Sequence, residues 1–501
     1  MSKPNIVVVG AGIGGITTAA RLAQAGCRVT VVEKCDRVGG RCGMIERDGH
    51  RFDTGPTLYL IPKLYEDAFA ALGERIEDHL DLRRIDPSYQ IHFGDGSKLT
   101  PTSDLVDMRN QLEAIEPGSF AGFLRYLSEA YAHHNQSQKY LVRRNFTSWR
   151  SFLTPRNLYL LLRLRALRRH QTYIGRYFKD PRLKLAFTFQ NLYMGLDPYE
   201  APAIFSLLQY TEFAEGVWYP MGGMNAVVEA LHKIAETHGV NFMLNTPVER
   251  IEVNCRSATG VTLAGGRQLP ADIVIANADL PYVYSHLLPD RKLGERLENR
   301  EHGCSGLLFF WGVDKRYPQL GLHNLFIAED IRSGFEAMFA PGTVPENPHF
   351  YVHAPAYIDP SIAPEGQESL SVALPLAHLS DDAPLDWEIV AEKMRSAVLQ
   401  RLAGVGIEDL EAHIKFEKLL TPKDWRTQLN LTKGSTHGLS HDLFQMGYMR
   451  PHNKHDEYNN LYFVGASTHP GTGMPTVLVS ADLVVRRIAD EHNIAAAIQA
   501  G

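Results

Sequence analysis

The run Gly10-Ala11-Gly12-Ile13-Gly14-Gly15 places Gly10, Gly12 and Gly15 at G-x-G-x-x-G spacing. Glycines so spaced form a tight turn free of Cβ atoms, and backbone amides can then approach a pyrophosphate. A helix starting at such a turn adds the partial positive charge of its N-terminus. Glu33 stands twenty-one residues after Gly12, and an acid at that distance accepts hydrogen bonds from ribose hydroxyls. The chemistry indicated is dinucleotide binding. The alternative is a glycine turn in an α/β domain with no ligand.

A strand, a helix and a second strand must position these residues. Asn5–Val9 (NIVVV) is a short β-branched run suited to a buried parallel strand. The alanine-rich residues 16–25 predict a helix stopped at Gly26, and Arg28–Val32 (RVTVV) predicts a strand that ends at Glu33.

Further glycines follow in Gly39-Gly40-Arg41, and then Gly49-His50-Arg51-Phe52-Asp53-Thr54-Gly55-Pro56-Thr57. A nicotinamide enzyme has no need of them. FAD is longer, and its isoalloxazine ring must be held by extra backbone. Near the other end, residues 460–464 (NLYFV) predict a strand that runs into a third glycine-rich segment, residues 465–475. Residues 477–489 then have helical spacing directly after Pro475. A helix N-terminus there would aim free amides at the flavin pyrimidine and stabilise the charge of the reduced ring. The two chain ends therefore build one domain, with other material inserted between them.

G-G-R followed by F-D-x-G-P resembles the flavin amine oxidase and carotenoid desaturase superfamily. Residues 464–475 (VGASTHPGTGMP) resemble the signature of the phytoene desaturase family within it. Residues 210–223 (YTEFAEGVWYPMGG), His353-Ala354-Pro355, residues 434–444 (GSTHGLSHDLF) and Arg450-Pro451-His452 are further matches, so the resemblance runs from about residue 5 to 487 and is nearest the fungal-type branch. That branch often ends in a hydrophobic anchor, whereas this chain stops at Gly501 without one; bacterial members commonly carry glycine where Ser467 stands. The resemblance implies FAD as cofactor and a site of Gly10, Gly12, Gly14, Gly15, Glu33, Lys34, Gly40, Arg41, Gly55, Pro56, Thr57, Val248, Gly465, Gly473 and Met474. By it, Arg41 lies against the phosphates or the flavin edge, Gly55-Pro56 lies near the ring, and Val248 contacts the adenine through backbone. For Arg41 the alternative is an ion pair with Glu33 or Asp36. Arg150 aligns loosely with an arginine of bacterial members, but Ser151 stands where they often have an acid.

The substrate implied is a long isoprenoid polyene, phytoene or a related carotenoid precursor. Its C–H bonds are not acidic enough for a protein base. Hydride loss to flavin leaves an allylic cation, and a neighbouring proton then leaves easily. The cofactor carries the hard step and the protein supplies position and a dry site. No triad is expected, and with no H-E-x-x-H or comparable spacing, no metal. His469 is the best-placed polar candidate, to polarise the ring or accept a proton; the alternative is a histidine that shapes its turn by bonding backbone. Aromatics around residues 187–193 and 205–219 are candidates to line an apolar tunnel, with ordinary core as the alternative.

Eleven basic residues and no acid lie between Ala130 and Lys179: Lys139, Arg143, Arg144, Arg150, Arg156, Arg163, Arg165, Arg168, Arg169, Arg176 and Lys179. Interleaved with leucines and aromatics, they describe a surface that docks on anionic lipid. The alternative is a helical subdomain whose arginines pair with acids elsewhere.

The chain has 501 residues and a net charge of −6, with 44% hydrophobic and 22% charged residues. This size predicts two or three domains, and the mild acidity argues against a nucleic-acid partner. Five scattered cysteines (Cys27, Cys35, Cys42, Cys255, Cys304) predict a reducing, cytoplasmic setting without disulfides. No apolar run is long enough to cross a bilayer, so peripheral membrane association is expected; a homo-oligomer is left open.

The expected fold is α/β. A Rossmann-type FAD-binding domain comes from residues 1–85, 222–300 and 430–501, and a mixed-sheet substrate domain from 86–125 and 301–429. A basic helical insert, 126–221, faces the membrane. The rival readings are a carotenoid isomerase or saturase, another flavin oxidase acting on an amine or apolar substrate, and a prenyl-binding protein of the GDP-dissociation-inhibitor type without redox chemistry.

Overall fold

The structure, a computed structural model, describes residues 3–289 and 291–494; Gly501 lies outside them. Asn5–Val9 occupies the centre of a five-stranded parallel sheet. Ile273–Ala276 and then Leu461–Phe463 flank it on one side, Arg28–Val32 and then Asn241–Met243 on the other. Alternate side chains face opposite layers. Ile6 and Val8 pack against the helices Ile13–Gln24, Asn225–Thr237 and Met474–His492. Val7 and Val9 pack against Ile251 and Val261 of an antiparallel sheet formed by Val248–Asn254, Ser257–Leu263 and Gln268–Pro270. Burial on both faces is why the strand is apolar at every position after Asn5.

The first helix begins at Ile13, earlier than its alanine-rich body indicates, because the glycine turn itself forms the helix entry. It ends before Gly26, which takes a φ of +86°. Arg21, almost fully buried, reaches Asp482 at 2.7 Å and ties this helix to the C-terminal one. The two ends of the chain thus share one sheet and one helical layer.

A second, mixed sheet has seven strands in the order Ile414–Leu420, Ser305–Val313, Glu368–Leu376, Phe350–His353, His323–Phe326, Gln90–His92 and Lys98–Leu99. Only His323–Phe326 with Gln90–His92 pair in parallel. Trp387–Ala403 covers one face with Trp387, Val390, Met394, Val398 and Leu402, a helical period of three to four. Asp386 caps it by accepting from the amides of Glu388 and Ile389.

The basic segment is not one long helix. It breaks into a π-helical turn, Gln138–Val142, and the short helices Trp149–Phe152, Pro155–Arg163 and His170–Ile174. Arg165 takes a φ of +55°, just past the end of Pro155–Arg163. Among the described residues, no helix is long and apolar enough to cross a membrane.

Candidate functional site

One cavity of about 560 Å³ runs from the carboxyl ends of the parallel strands to the mixed sheet. Carboxyl ends of parallel strands are where nucleotides bind in such sheets. Gly10, Gly12 and Gly14 line it there. A Cβ on Gly12 would stand 2.9 Å from Asn277 Nδ2, and one on Gly14 would stand 2.8 Å from Asn277 Oδ1. No side chain caps the Gly12 end of the helix, so its first amides are left for a ligand. Gly15 is not among the lining residues. A Cβ there would lie 2.2 Å from the Gly10 carbonyl, so this third glycine serves close packing of helix on turn.

Glu33 is buried at the cavity wall. Its Oε2 accepts the Ala11 amide at 2.7 Å and its Oε1 the Cys35 amide at 2.9 Å. These two bonds hold the carboxylate at the strand end and use only part of its acceptor capacity. Lys34 also lines the cavity and donates to the Thr427 carbonyl and to Asn430 Oδ1; burial lowers its pKa. Val248 lines the same end.

The second glycine cluster lies against the first. The Gly39 amide donates to the Ala11 carbonyl, and a Cβ on Gly40 would be 3.6 Å from Gly12 Cα. Arg41 lines the cavity and donates to the Thr436 carbonyl at 3.1 Å, and so engages the chain's C-terminal part. Gly55 permits no side chain, since a Cβ would fall 1.9 Å from the Arg41 carbonyl. Its neighbours Pro56 and Thr57 line the cavity, and Thr57 Oγ1 meets the Tyr351 hydroxyl at 2.7 Å. Asp53 accepts the Met224 and Asn225 amides, each at 2.8 Å, and so anchors the start of Asn225–Thr237. Burial raises its pKa to about 6.

From the far end of the chain come Gly465, Gly473 and Met474. Gly473, φ +103°, opens the helix Met474–His492 without a side-chain cap. The loop before that helix is held by Arg450, which is fully buried. Its guanidinium donates to the carbonyls of Leu439, Ser440, Gln445, Ala466 and Thr468. Neither this role nor that of Asn277, which donates to the Gly10 carbonyl at 3.2 Å, was evident in the sequence. Asn277 follows Ala276 at the carboxyl end of a central strand, and that position was the available signal.

His469 is turned away from the cavity, contrary to expectation. It is not among the lining residues. Its Nε2 donates to the Leu141 carbonyl at 3.1 Å, and its ring meets that of Phe146 at 5.5 Å. Burial lowers its pKa to about 4, so the ring is neutral and bonds backbone of the insert. Adjacency to the helix start in sequence did not settle which way the side chain turned.

The other end of the cavity is apolar, with Phe189, Leu192, Leu208, Leu308, Leu325 and Leu374 among its walls. Of the tunnel aromatics, Phe189 and Tyr193 line it, whereas Phe187 and Tyr219 are buried in hydrophobic clusters and do not reach its wall. Among the described residues, no group of three or more His, Cys, Asp or Glu could hold a metal ion.

These residues fit FAD. Two uncapped helix N-termini face one cavity, glycines keep its phosphate end clear of Cβ atoms, and a carboxylate with spare acceptor capacity stands at the nucleoside end.

The model of the flavin containing amine oxidoreductase family matches residues 13–489. A zeta-carotene-forming phytoene desaturase of Myxococcus xanthus is 44% identical, covering 96% of this chain and 93% of its own length. A phytoene desaturase of Neurospora crassa is 41% identical, covering 97% and 84%. Among solved structures, a putrescine oxidase bound to putrescine shares the fold at 16% identity, with a TM-score of 0.65 over 98% of this chain and 99% of the other. The chain accordingly belongs to the flavin containing amine oxidoreductase family and, within it, to the phytoene desaturases.

Proposed function

We propose that this protein desaturates a long isoprenoid polyene, phytoene or a related carotenoid precursor, with FAD as oxidant. The observation that carries this reading is the single cavity that joins a glycine-walled nucleotide end to an apolar end. FAD, when bound, supplies the two-electron acceptor for hydride. On this reading Gly10, Gly12 and Gly14 with the first helix N-terminus receive the pyrophosphate, and Glu33 receives the ribose. Val248 flanks the adenine, with Lys34 nearby. Gly40, Arg41, Gly55, Pro56 and Thr57 hold the ring from one side, and Gly465, Gly473 and Met474 from the other. The apolar walls exclude water and align the polyene. The substrate loses hydride from one carbon and a proton from the next, and the new double bond forms between them.

The same reading assigns residues 1–85, 222–300 and 430–501 to the FAD domain, 86–125 and 301–429 to the substrate domain, and 126–221 to a membrane-facing insert. Moving a polyene from lipid into an apolar cavity gains little, because the roughly 0.8 kcal/mol per buried CH₂ applies to transfer out of water. Direct delivery from the bilayer is therefore favoured. The insert suits such docking. Trp149, Leu153, Leu158, Tyr159, Leu162 and Leu167 are all more than half exposed. Phe444, 78% exposed, belongs to the adjoining loop, where Tyr448 stacks on Phe152. Of the eleven basic residues, only Arg143 (with Asp67) and Arg169 (with Glu200) form ion pairs among the described residues. Exposed leucines beside uncompensated arginines are the composition of a lipid-contacting surface.

Expression in cells that accumulate phytoene tests the function. The expected product is coloured and lighter by two hydrogens per double bond. A product of unchanged mass would make the protein an isomerase and overturn the reading.

A further inference from the structure

Glu212 is a carboxylate that the reaction above leaves unused. It is 3% exposed and stands behind the apolar end of the cavity. Its Oε1 accepts the Tyr193 hydroxyl at 2.9 Å; its Oε2 accepts the Tyr89 hydroxyl at 2.9 Å and Gln190 Nε2 at 3.0 Å. Every donor is neutral, and no ion pair engages Glu212 among the described residues. An unpaired buried carboxylate is costly, so its retention beside an apolar wall calls for a reason. The chain also departs from regular helix here: Thr211–Glu215 is a π-helical turn, a feature found frequently at functional sites.

Tyr89 and Tyr193 both line the cavity, and Glu212 does not. The tyrosines differ in one respect. The Tyr89 oxygen already accepts from Gln190 Nε2 at 3.0 Å, whereas among the described residues nothing donates to the oxygen of Tyr193. Tyr193 therefore brings to the cavity wall a hydroxyl whose hydrogen is directed at a carboxylate and whose oxygen keeps a lone pair.

We propose that Tyr193, backed by Glu212, takes the proton that the polyene must lose once hydride has left. The inference rests on the desaturase reading and names the proton's destination within it. The C–H bond next to the cationic carbon breaks and its electron pair becomes the new C=C bond. The proton forms an O–H bond on Tyr193 while the Tyr193 hydroxyl proton passes to Glu212 Oε1. Tyr193 ends neutral, Glu212 ends as the acid, and its proton returns to water between turnovers. While ionised, the carboxylate also places a negative charge beside the delocalised cation.

The titration of Glu212 suits this task. Burial raises its pKa to about 7, against the opposing pull of its three hydrogen bonds. The titratable groups facing it are Tyr89, Tyr193 and, from the helix Ser119–Ser137, Tyr126; no cation or histidine contributes. Other carboxylates at the cavity are committed elsewhere: Glu33 and Asp53 to backbone amides, and Asp279 to the Thr432 amide and the Ser467 hydroxyl.

The test compares the FAD-loaded wild type with Glu212→Gln, Glu212→Asp and Tyr193→Phe on phytoene in liposomes. The wild type should lose activity below an acid limb centred near neutrality. Glu212→Gln should abolish that limb and lower kcat about 100-fold with KM and bound FAD unchanged. Glu212→Asp should restore part of both. Tyr193→Phe should lower kcat similarly. Infrared spectra, taken without substrate and subtracted as wild type minus Glu212→Gln, should leave a protonated-carboxyl band that titrates near neutrality and persists in Tyr193→Phe, while the bands of Asp53 and Glu368, which burial also raises, cancel. The proposal is overturned if folded, flavin-loaded Glu212→Gln and Tyr193→Phe keep kcat within about twofold and the wild-type acid limb. A wild type that removes no hydrogen from the polyene would instead overturn the desaturase reading, and this inference with it.

Discussion

Replacing Arg450 by methionine tests how the C-terminal flavin segment is held. The guanidinium is fully buried and donates to five carbonyls, two of them, Ala466 and Thr468, in the loop that precedes Met474–His492. Each carbonyl left without a donor costs about 1–3 kcal/mol. The sum is an overestimate, since methionine also removes a buried cation whose pKa burial lowers to about 9. Breaking a buried hydrogen-bond network belongs to the upper tail of single-substitution costs, about 4 kcal/mol net. At about 2–4 °C per kcal/mol for a large domain, the melting temperature should fall by roughly 10 °C. Because Ala466 lines the cavity, FAD affinity should fall as well. Arg450→Lys should rescue only partly, since an ammonium has three donors for five acceptors. The assay is thermal melting of both variants with and without FAD, alongside flavin titration. A methionine variant that melts within about 2 °C of wild type would refute the accounting of the carbonyls. One that melts low but binds FAD with native affinity would refute the role in positioning the flavin segment.

Glu33→Ala should weaken FAD binding by about 1.5–3 kcal/mol, the worth of charge-assisted hydrogen bonds; unchanged affinity in a fluorescence titration would contradict the ribose assignment. Exchanging Leu158, Leu162 and Leu167 for serine, or neutralising Arg163, Arg165, Arg168 and Arg169, should reduce sedimentation with anionic vesicles. The arginine effect should shrink as salt is raised, and undiminished sedimentation in both variants would remove the docking surface. Glu212 also makes a stability prediction. Its folded pKa of about 7 lies above its unfolded value, so the folded state binds the extra proton, and this contribution is lost as pH rises from about 4.5 to 7. Glu212→Gln should therefore gain stability relative to wild type between pH 5 and pH 8, by up to about 3 kcal/mol; a pH-independent difference in denaturant midpoints would exclude the raised pKa.

The nucleotide half of the site was legible because its information is local. Gly10, Gly12 and Glu33 are set by one strand–turn–helix–strand unit, whose glycines and β-branched runs obey short-range sterics. The C-terminal glycines were legible for the same reason, as a strand entering a helix. Gly15 shows what spacing alone leaves out. Spacing alone marks it like its neighbours, and the path of the turn, which brings the Gly10 carbonyl against it, adds a packing role.

Side-chain direction and burial needed the tertiary structure. His469 lies one segment from the cavity, and whether its imidazole faced the cavity or the insert depended on Leu141 and Phe146, over three hundred residues away in sequence. Arg450 read as part of a family motif, and only the folding of five carbonyls around it made it a structural hub. Glu212 stood in a motif with no partner in sight, because Tyr89 comes from a different part of the chain. The sequence by itself determined that a flavin-type nucleotide site forms from both ends of the chain, since turns, helix starts and buried strands are dictated by neighbours. The tertiary structure alone decided which polar groups meet inside the apolar half, because those contacts join segments that no periodicity or spacing relates.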